Sequence, residues 1–90
     1  MEKPDELQEI KILYVEDDFI VRLSIANFLR RRCKDVIEAK NGQQGLELYK
    51  QHNSDIVVTD IEMPVMDGLE MIEKILEMDM KMVSIIIGKP

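Results

Sequence analysis

The stretch VVTDIEMPVMDGLE, at residues 57–70, decides the fold of this chain. It begins as an apolar, β-branched run that is typical of a strand, and the run ends on a carboxylate, Asp60. A proline at position 64 and an Asp67-Gly68 step follow, which predicts a loop and then the start of a helix. A carboxylate at the end of a buried strand is costly unless a cation or a hydrogen-bond donor meets it. The stretch therefore predicts a functional group at the end of a strand.

The same alternation of strand and helix extends through the rest of the chain. Strands are predicted at residues 11–15, 35–39, 55–60 and 82–87, and helices begin after Asp18, Asn41 and Asp67. In the first helix, one apolar face is predicted from Val21, Ile25, Phe28 and Leu29. Alternating strands and helices indicate βαβ units in a parallel sheet with right-handed crossovers. We therefore predict an α/β fold over residues 10–90, preceded by a polar tail at residues 1–9.

Composition excludes several classes of protein. Ninety residues make one small domain, and the net charge of −6 argues against nucleic-acid binding by this segment. The single cysteine, Cys33, excludes an internal disulfide and a thiolate metal site. No apolar stretch is long enough to span a bilayer and no signal-like segment opens the chain, so we expect no membrane partner and a cytoplasmic protein.

Acidic residues follow two of the predicted strands. Glu16 and Asp17 come after the first strand, and Asp60 ends the third. If these strands are neighbours, the three carboxylates meet at one edge of the sheet and repel one another unless a cation lies between them. Oxygen ligands select a hard cation such as Mg²⁺, although Mn²⁺ fits the same ligands. The alternative interpretation is that such acids only cap the following helices, as we expect of Asp18.

These segments resemble a response-regulator receiver domain of two-component signalling. The resemblance rests on ILYVEDD at 12–18, VVTDIEMPVMDGLEM at 57–71 and the apolar strand that ends at Ile87. It covers residues 11–87, nearly the whole chain after the tail. It implies a flavodoxin-like, doubly wound parallel sheet with strand order 2-1-3-4, in which the first and third strands are neighbours.

The resemblance also implies roles for particular residues. Asp60 would be the phosphoacceptor, receiving a phosphoryl group from a sensor histidine kinase or a phosphotransfer protein. Asp17 would bind Mg²⁺ directly, Glu16 largely through water, and Glu62 through its backbone carbonyl. The Glu62 side chain would face the phosphoryl group and tune its hydrolysis.

The chain departs from the family pattern after the fourth strand. Receivers place a Thr or Ser there, whereas Gly88 occupies or adjoins that position and Ser84 lies several residues too early. Lys89-Pro90 has three interpretations. It is a remnant of the family's Lys-Pro step, a chance ending of the sequence, or the result of an experimental cut. In the family, the lysine of the Lys-Pro step pairs with the phosphoryl oxygens. We expect a truncated or internally deleted receiver without the final helix-strand-helix portion. Its fourth strand would be an exposed apolar edge and would favour a homodimer through residues 82–87.

The predicted function is a phosphorylation-controlled signalling module rather than an enzyme. Phosphorylation of Asp60 would switch how a surface binds partners. One alternative is a degenerate receiver that binds partners without phosphorylation. The other is a Mg²⁺-dependent phosphatase with an aspartyl nucleophile. In such enzymes a second acid follows the nucleophile two residues later, and Asp60-Ile61-Glu62 resembles that spacing only weakly.

Overall fold

Four strands and three helices alternate along the chain in a computed structural model, which describes residues 8–87. The elements are β1 (Lys11–Val15), α1 (Phe19–Arg30), β2 (Asp35–Ala39), α2 (Gly42–His52), β3 (Ile56–Asp60), α3 (Gly68–Met78) and β4 (Val83–Ile87). The predicted strands are confirmed to within one residue at each end. Most of the predicted tail, together with the positions interpreted at Gly88, Lys89 and Pro90, lies outside the described residues.

Each helix begins at a polar residue that caps it. The side chains of Asp18, Asn41 and Asp67 accept hydrogen bonds from backbone N–H groups three residues later, at 3.0, 2.8 and 2.8 Å. A cap of this kind satisfies an N–H group that has no partner inside the helix and contributes about 1 kcal/mol. The predicted helix starts after these three residues are confirmed.

The sheet is parallel and its strand order is β2-β1-β3-β4, which confirms the predicted order. β1 lies in the middle and is buried from Ile12 to Val15. The chain first moves from β1 to β2 and then returns to the other side of β1 with β3. The direction of strand addition therefore reverses between β1 and β3, which is where ligands bind in sheets of this type.

The helices cover the two faces of the sheet unequally. α2 and α3 pack on one face over a core that includes Leu13, Val15, Val57, Met71 and Ile75. α1 packs on the other face over β1 and β2, against Ile12, Tyr14 and Val36. The side chains of Val83, Ile85, Ile86 and Ile87 in β4 are consequently 36–53% exposed.

Phe28, which the sequence places on the apolar face of α1, is not buried. Its side chain is 53% exposed, and the guanidinium of Arg32 lies over its ring at 3.9 Å. α1 covers only the β1–β2 half of the sheet, so its buried stripe is narrow and only Ala26 is fully buried. Apolar periodicity identifies a helix face, but the width of the covered surface is decided by the sheet beneath it.

Within residues 8–87, no helix has the length and apolar character needed to cross a membrane.

Candidate functional site

The register between β1 and β3 brings acidic residues together. Val15 pairs with Thr59, so the next residues, Glu16 and Asp60, lie side by side where the strands end. Carboxylate oxygens of Glu16, Asp17 and Asp60 all lie within 4.8 Å of one another. Glu16 and Asp60 are only 3% and 4% exposed, whereas Asp17 is exposed. The cluster therefore has a buried floor and one side open to solvent.

Backbone groups fix both buried carboxylates. Oδ1 of Asp60 accepts a hydrogen bond from the N–H of Ile61 at 2.8 Å, and the carboxylate of Glu16 accepts one from the N–H of Asp18 at 3.1 Å. The hydroxyl of Thr59 donates to the carbonyl oxygen of Asp60 at 2.7 Å. The two bonds to the carboxylates offset part of the cost of burying these charged groups.

The loop between β3 and α3 folds closely over Asp60 because a glycine begins α3. The N–H of Gly68 donates to the carbonyl oxygen of Ile61 at 2.8 Å. A Cβ atom at position 68 would overlap the carbonyl oxygen of Asp60. Gly42, at the start of α2, similarly donates to the carbonyl of Met66 at 3.0 Å, where a Cβ would overlap the same oxygen. Two glycines thus hold the loop against the site.

The exposed tip of this loop is conformationally strained. Val65 has a φ of 72°, and the N–H of Met66 donates to the carbonyl of Pro64 at 2.8 Å, which closes a three-residue turn. Positive φ is unusual for a β-branched residue and costs on the order of 1–3 kcal/mol. The strain lies five residues after Asp60, in the segment that links β3 to α3.

The donor set fits a divalent cation. An octahedral Mg²⁺ binds oxygens at about 2.0–2.1 Å, so opposite ligands are separated by about 4.2 Å. The 4.8 Å spread of the three carboxylates is close to that separation, which suits direct ligands combined with water. Carboxylate ligands without sulfur or nitrogen select Mg²⁺ or Mn²⁺ rather than a softer metal.

Three further residues bear on the predicted site: Glu62, Ser84 and Lys89. The Glu62 side chain is exposed in the loop after β3 and is not one of the three converging carboxylates. Ser84 lies near the start of β4 and pairs with Val57 of β3, whereas Asp60 pairs with Ile87, three residues later. The hydroxyl of Ser84 is therefore remote from the acids. Lys89 lies outside the described residues.

A buried tyrosine joins the helices on the α2–α3 face through a contact that the sequence pattern did not predict. The hydroxyl of Tyr49, in α2, donates to Oδ2 of Asp79 at 2.6 Å, directly after α3. Burial is the largest cause, and this hydrogen bond the second, of a rise in the pKa of Tyr49 to about 12. The same hydrogen bond lowers the pKa of Asp79 below its ordinary value. The pair connects α2 to the turn that leads into β4.

Known proteins resemble the chain over most of its length. The family model of the response regulator receiver domain matches residues 12–89. The chemotaxis protein CheY of Bacillus subtilis is 40% identical over 70 residues, 77% of this chain and 58% of that protein. A protein-glutamate methylesterase/protein-glutamine glutaminase of Nitratidesulfovibrio vulgaris is 36% identical over 69 residues, 74% of this chain and 19% of that protein.

A solved structure gives the same fold. The response regulator TrrA of Thermotoga maritima, in complex with Mg²⁺ and BeF, superposes with a TM-score of 0.83 at 29% identity. The superposition covers 88% of this chain and 69% of that chain. The present chain thus spans a little over half the length of the CheY relative and a fifth of the methylesterase.

Proposed function

We propose that this chain, which belongs to the family of response regulator receiver domains, accepts a phosphoryl group on Asp60 and thereby changes how a surface binds partners. The proposed domain spans residues 10–90. One observation carries the proposal: the carboxylates of Glu16, Asp17 and Asp60 lie within 4.8 Å of one another at the point where the strand order reverses. Burial of two of three adjacent carboxylates is costly, and a bound cation would offset that cost.

The proposed reaction is a displacement at phosphorus. A carboxylate oxygen of Asp60 attacks the phosphoryl group of a phosphohistidine on a sensor histidine kinase or phosphotransfer protein. The new P–O bond forms as the P–N bond breaks, and the departing imidazole keeps the electron pair and takes up a proton from solvent. The hydrogen bond from the N–H of Ile61 to Oδ1 holds the Asp60 side chain in one orientation for the attack.

Glu16, Asp17 and Asp60 would hold Mg²⁺, with the backbone carbonyl of Glu62 as a further ligand. When bound, the ion would neutralise the negative charge of the carboxylates, which otherwise repels the phosphoryl donor. The Mg²⁺ in the related TrrA complex supports this assignment, and Mn²⁺ suits the same oxygens. The exposed side chain of Glu62 lies in the loop next to Asp60, which supports a role in tuning hydrolysis of the phosphorylated form. Lys89 stays a sequence prediction for a residue that pairs with the phosphoryl oxygens.

The proposed role is a signalling module rather than an enzyme. Receiver domains act by accepting the phosphoryl group and changing their contacts, and the methylesterase relative shows that such a segment also occurs in a longer enzyme. A phosphatase would need a substrate cap over Asp60. A degenerate receiver would bind its partners without using Asp60.

The test is mass measurement of the intact chain after incubation with Mg²⁺ and acetyl phosphate. We expect the parent to gain one phosphoryl mass, and chelation of Mg²⁺ to abolish the gain. Asp60→Asn should gain no mass. Asp35→Asn is the matched control and should gain the phosphoryl mass, because Asp35 is an exposed acid at the start of β2, away from the carboxyl ends of the strands where the cluster lies. Mg²⁺ binding without any mass gain would favour the degenerate receiver, and release of free phosphate with repeated turnover would favour the phosphatase.

A second proposal concerns association through β4. β4 pairs with β3 along one edge, and within the described residues its other edge has no neighbouring strand. An open strand edge with apolar side chains on both faces favours pairing with another chain. We propose that two copies of this chain pair through β4 around a two-fold axis.

Light scattering at increasing concentration tests the association. Ile85→Lys should give a monomer, and Leu69→Lys should still associate, since both side chains are 50% exposed but only Ile85 lies in β4. A parent chain that is monomeric at every concentration would contradict the proposal.

A further inference from the structure

We infer that Arg22 is a positioning residue of the carboxylate site: it holds the peptide group between Glu16 and Asp17 so that both acids point into the cluster with Asp60. This inference rests on the proposed function, because it concerns how the same acids bind a cation. Arg22 lies in α1, one turn after the cap of that helix, and it is not part of the acidic cluster itself.

The side chain of Arg22 reaches back from α1 to the end of β1. Its Nη1 donates to the carbonyl oxygen of Glu16 at 2.8 Å, and its Nε lies 3.4 Å from Oε1 of Glu38. The guanidinium also lies over the ring of Phe19, 5.6 Å from its centre. The side chain is only 14% exposed, so these contacts form in a largely desolvated position where they are stronger than at a free surface.

Glu38, in β2, holds the guanidinium from the other side. One oxygen of Glu38 faces Arg22, and the other accepts a hydrogen bond at 2.7 Å from Arg30, at the end of α1. The carboxylate is therefore fixed between two cations. Because a planar guanidinium presents several donors in a rigid fork, Arg22 contacts Glu38 and the carbonyl of Glu16 at the same time.

The carbonyl of Glu16 belongs to the peptide group that leads into Asp17. On the preceding side, the N–H of Glu16 donates to the carbonyl of Ala39 at 3.0 Å, the last bond that ties this strand end to β2. Arg22 therefore fixes the first peptide group beyond the strand. A change in the ψ angle of Glu16 would turn that peptide group, move the Cα of Asp17 and separate its carboxylate from that of Asp60.

Two effects of Arg22 on cation binding have opposite signs. As a nearby positive charge, the guanidinium repels a divalent cation, so its removal would strengthen binding. As a support for the ligands, it organises them, and loss of such supports weakens metal affinity by roughly 10–100-fold. The hydrogen bond from Arg22 goes to the carbonyl of Glu16 rather than to its carboxylate, and the cluster is open to solvent at Asp17, so solvent screens the charge effect and the support dominates. We expect removal of Arg22 to weaken Mg²⁺ binding by about tenfold.

The experiment compares Arg22→Met with Arg30→Met by calorimetric titration of Mg²⁺, after circular dichroism has shown that each variant is folded. Both changes remove one positive charge from α1 and one partner of Glu38, and methionine retains an unbranched stem in each case. Only Arg22→Met removes the bond to Glu16. We expect about tenfold weaker binding for Arg22→Met and less than a twofold change for Arg30→Met.

Arg22→Lys keeps the charge and the stem but loses the fork, and it decides the question if Arg22→Met does not fold. It should bind Mg²⁺ more weakly than the parent. If the folded Arg22 variants bind Mg²⁺ as tightly as the parent or more tightly, the inference about Arg22 is overturned. The proposed metal site would stand in that case, because the parent binds Mg²⁺. A parent that binds no Mg²⁺ would overturn the proposed metal site together with this inference.

Discussion

Neutralising Asp60 should stabilise the chain when no divalent cation is present. Asp60→Asn keeps the shape of the side chain and an oxygen that accepts from the N–H of Ile61, but it removes one of three negative charges. In the parent, these charges are held together by the fold and separate on unfolding. Their repulsion therefore lowers the free energy of unfolding, and the substitution should recover most of it.

The size of the effect follows from the spacing of the carboxylates. Two unit charges 4.8 Å apart repel by about 0.9 kcal/mol in a solvent-like dielectric of 80 and by about 3.5 kcal/mol at an effective value of 20. Asp60 is buried beside the buried Glu16, whereas Asp17 is exposed and screened. We expect Asp60→Asn to raise the free energy of unfolding by about 1–3 kcal/mol. Each kcal/mol raises the Tm of a domain of this size by roughly 4–8 °C.

Urea unfolding followed by circular dichroism, with chelator and then with Mg²⁺, measures both parts of this prediction. With chelator, Asp60→Asn should be the more stable protein, and the exposed control Asp35→Asn should match the parent. Mg²⁺ should stabilise the parent and affect Asp60→Asn much less, because a ligand is lost. If Asp60→Asn is less stable than the parent in chelator, the carboxylates do not repel one another in the fold and the reasoning is refuted.

Three further changes test other parts of the structure. Gly68→Ala should lower the free energy of unfolding by about 1–3 kcal/mol in urea, because the new Cβ overlaps the carbonyl oxygen of Asp60. Val65→Gly should raise the same quantity by about 0.5–1 kcal/mol, since relief of the positive φ exceeds the added entropy of the unfolded chain; a loss of stability would contradict the strained turn. Tyr49→Phe should make unfolding less sensitive to acid. Its hydrogen bond lowers the pKa of Asp79 in the folded state, so the stabilisation is complete above about 3.9, the pKa of an unfolded aspartate, and disappears as the pH falls through the lowered folded value. Equal slopes of stability against pH for parent and variant would show that the pair contributes nothing.

Local features of the fold were predictable because their causes lie within a few residues. A β-branched run defines β3, and Asp18, Asn41 and Asp67 cap helices through N–H groups only three residues away. The acids at the ends of β1 and β3 follow from the same local pattern. That these strands are neighbours came from the family resemblance, since the apolar pattern of a strand does not specify its partner.

The features that sequence analysis missed depend on contacts between distant residues. The exposure of Phe28 depends on how much of the sheet lies beneath α1, and the placement of the Arg22 side chain depends on its contact with Glu38, in β2. Tyr49 and Asp79 meet because α2 and α3 pack side by side, although 30 positions separate them. Helical periodicity alone gives no signal for a pair of this kind.

The most direct test of the central claim locates the phosphoryl group on the chain. The acetyl phosphate reaction is stopped with borohydride, which reduces an aspartyl phosphate to homoserine, and the peptide released by cleavage after Lys50 and Lys74 is sequenced by mass spectrometry. Homoserine at position 60, dependent on Mg²⁺, is the predicted result. Homoserine at another acid of that peptide, or an unmodified peptide in the presence of bound Mg²⁺, would contradict the assignment of Asp60 as the phosphoacceptor.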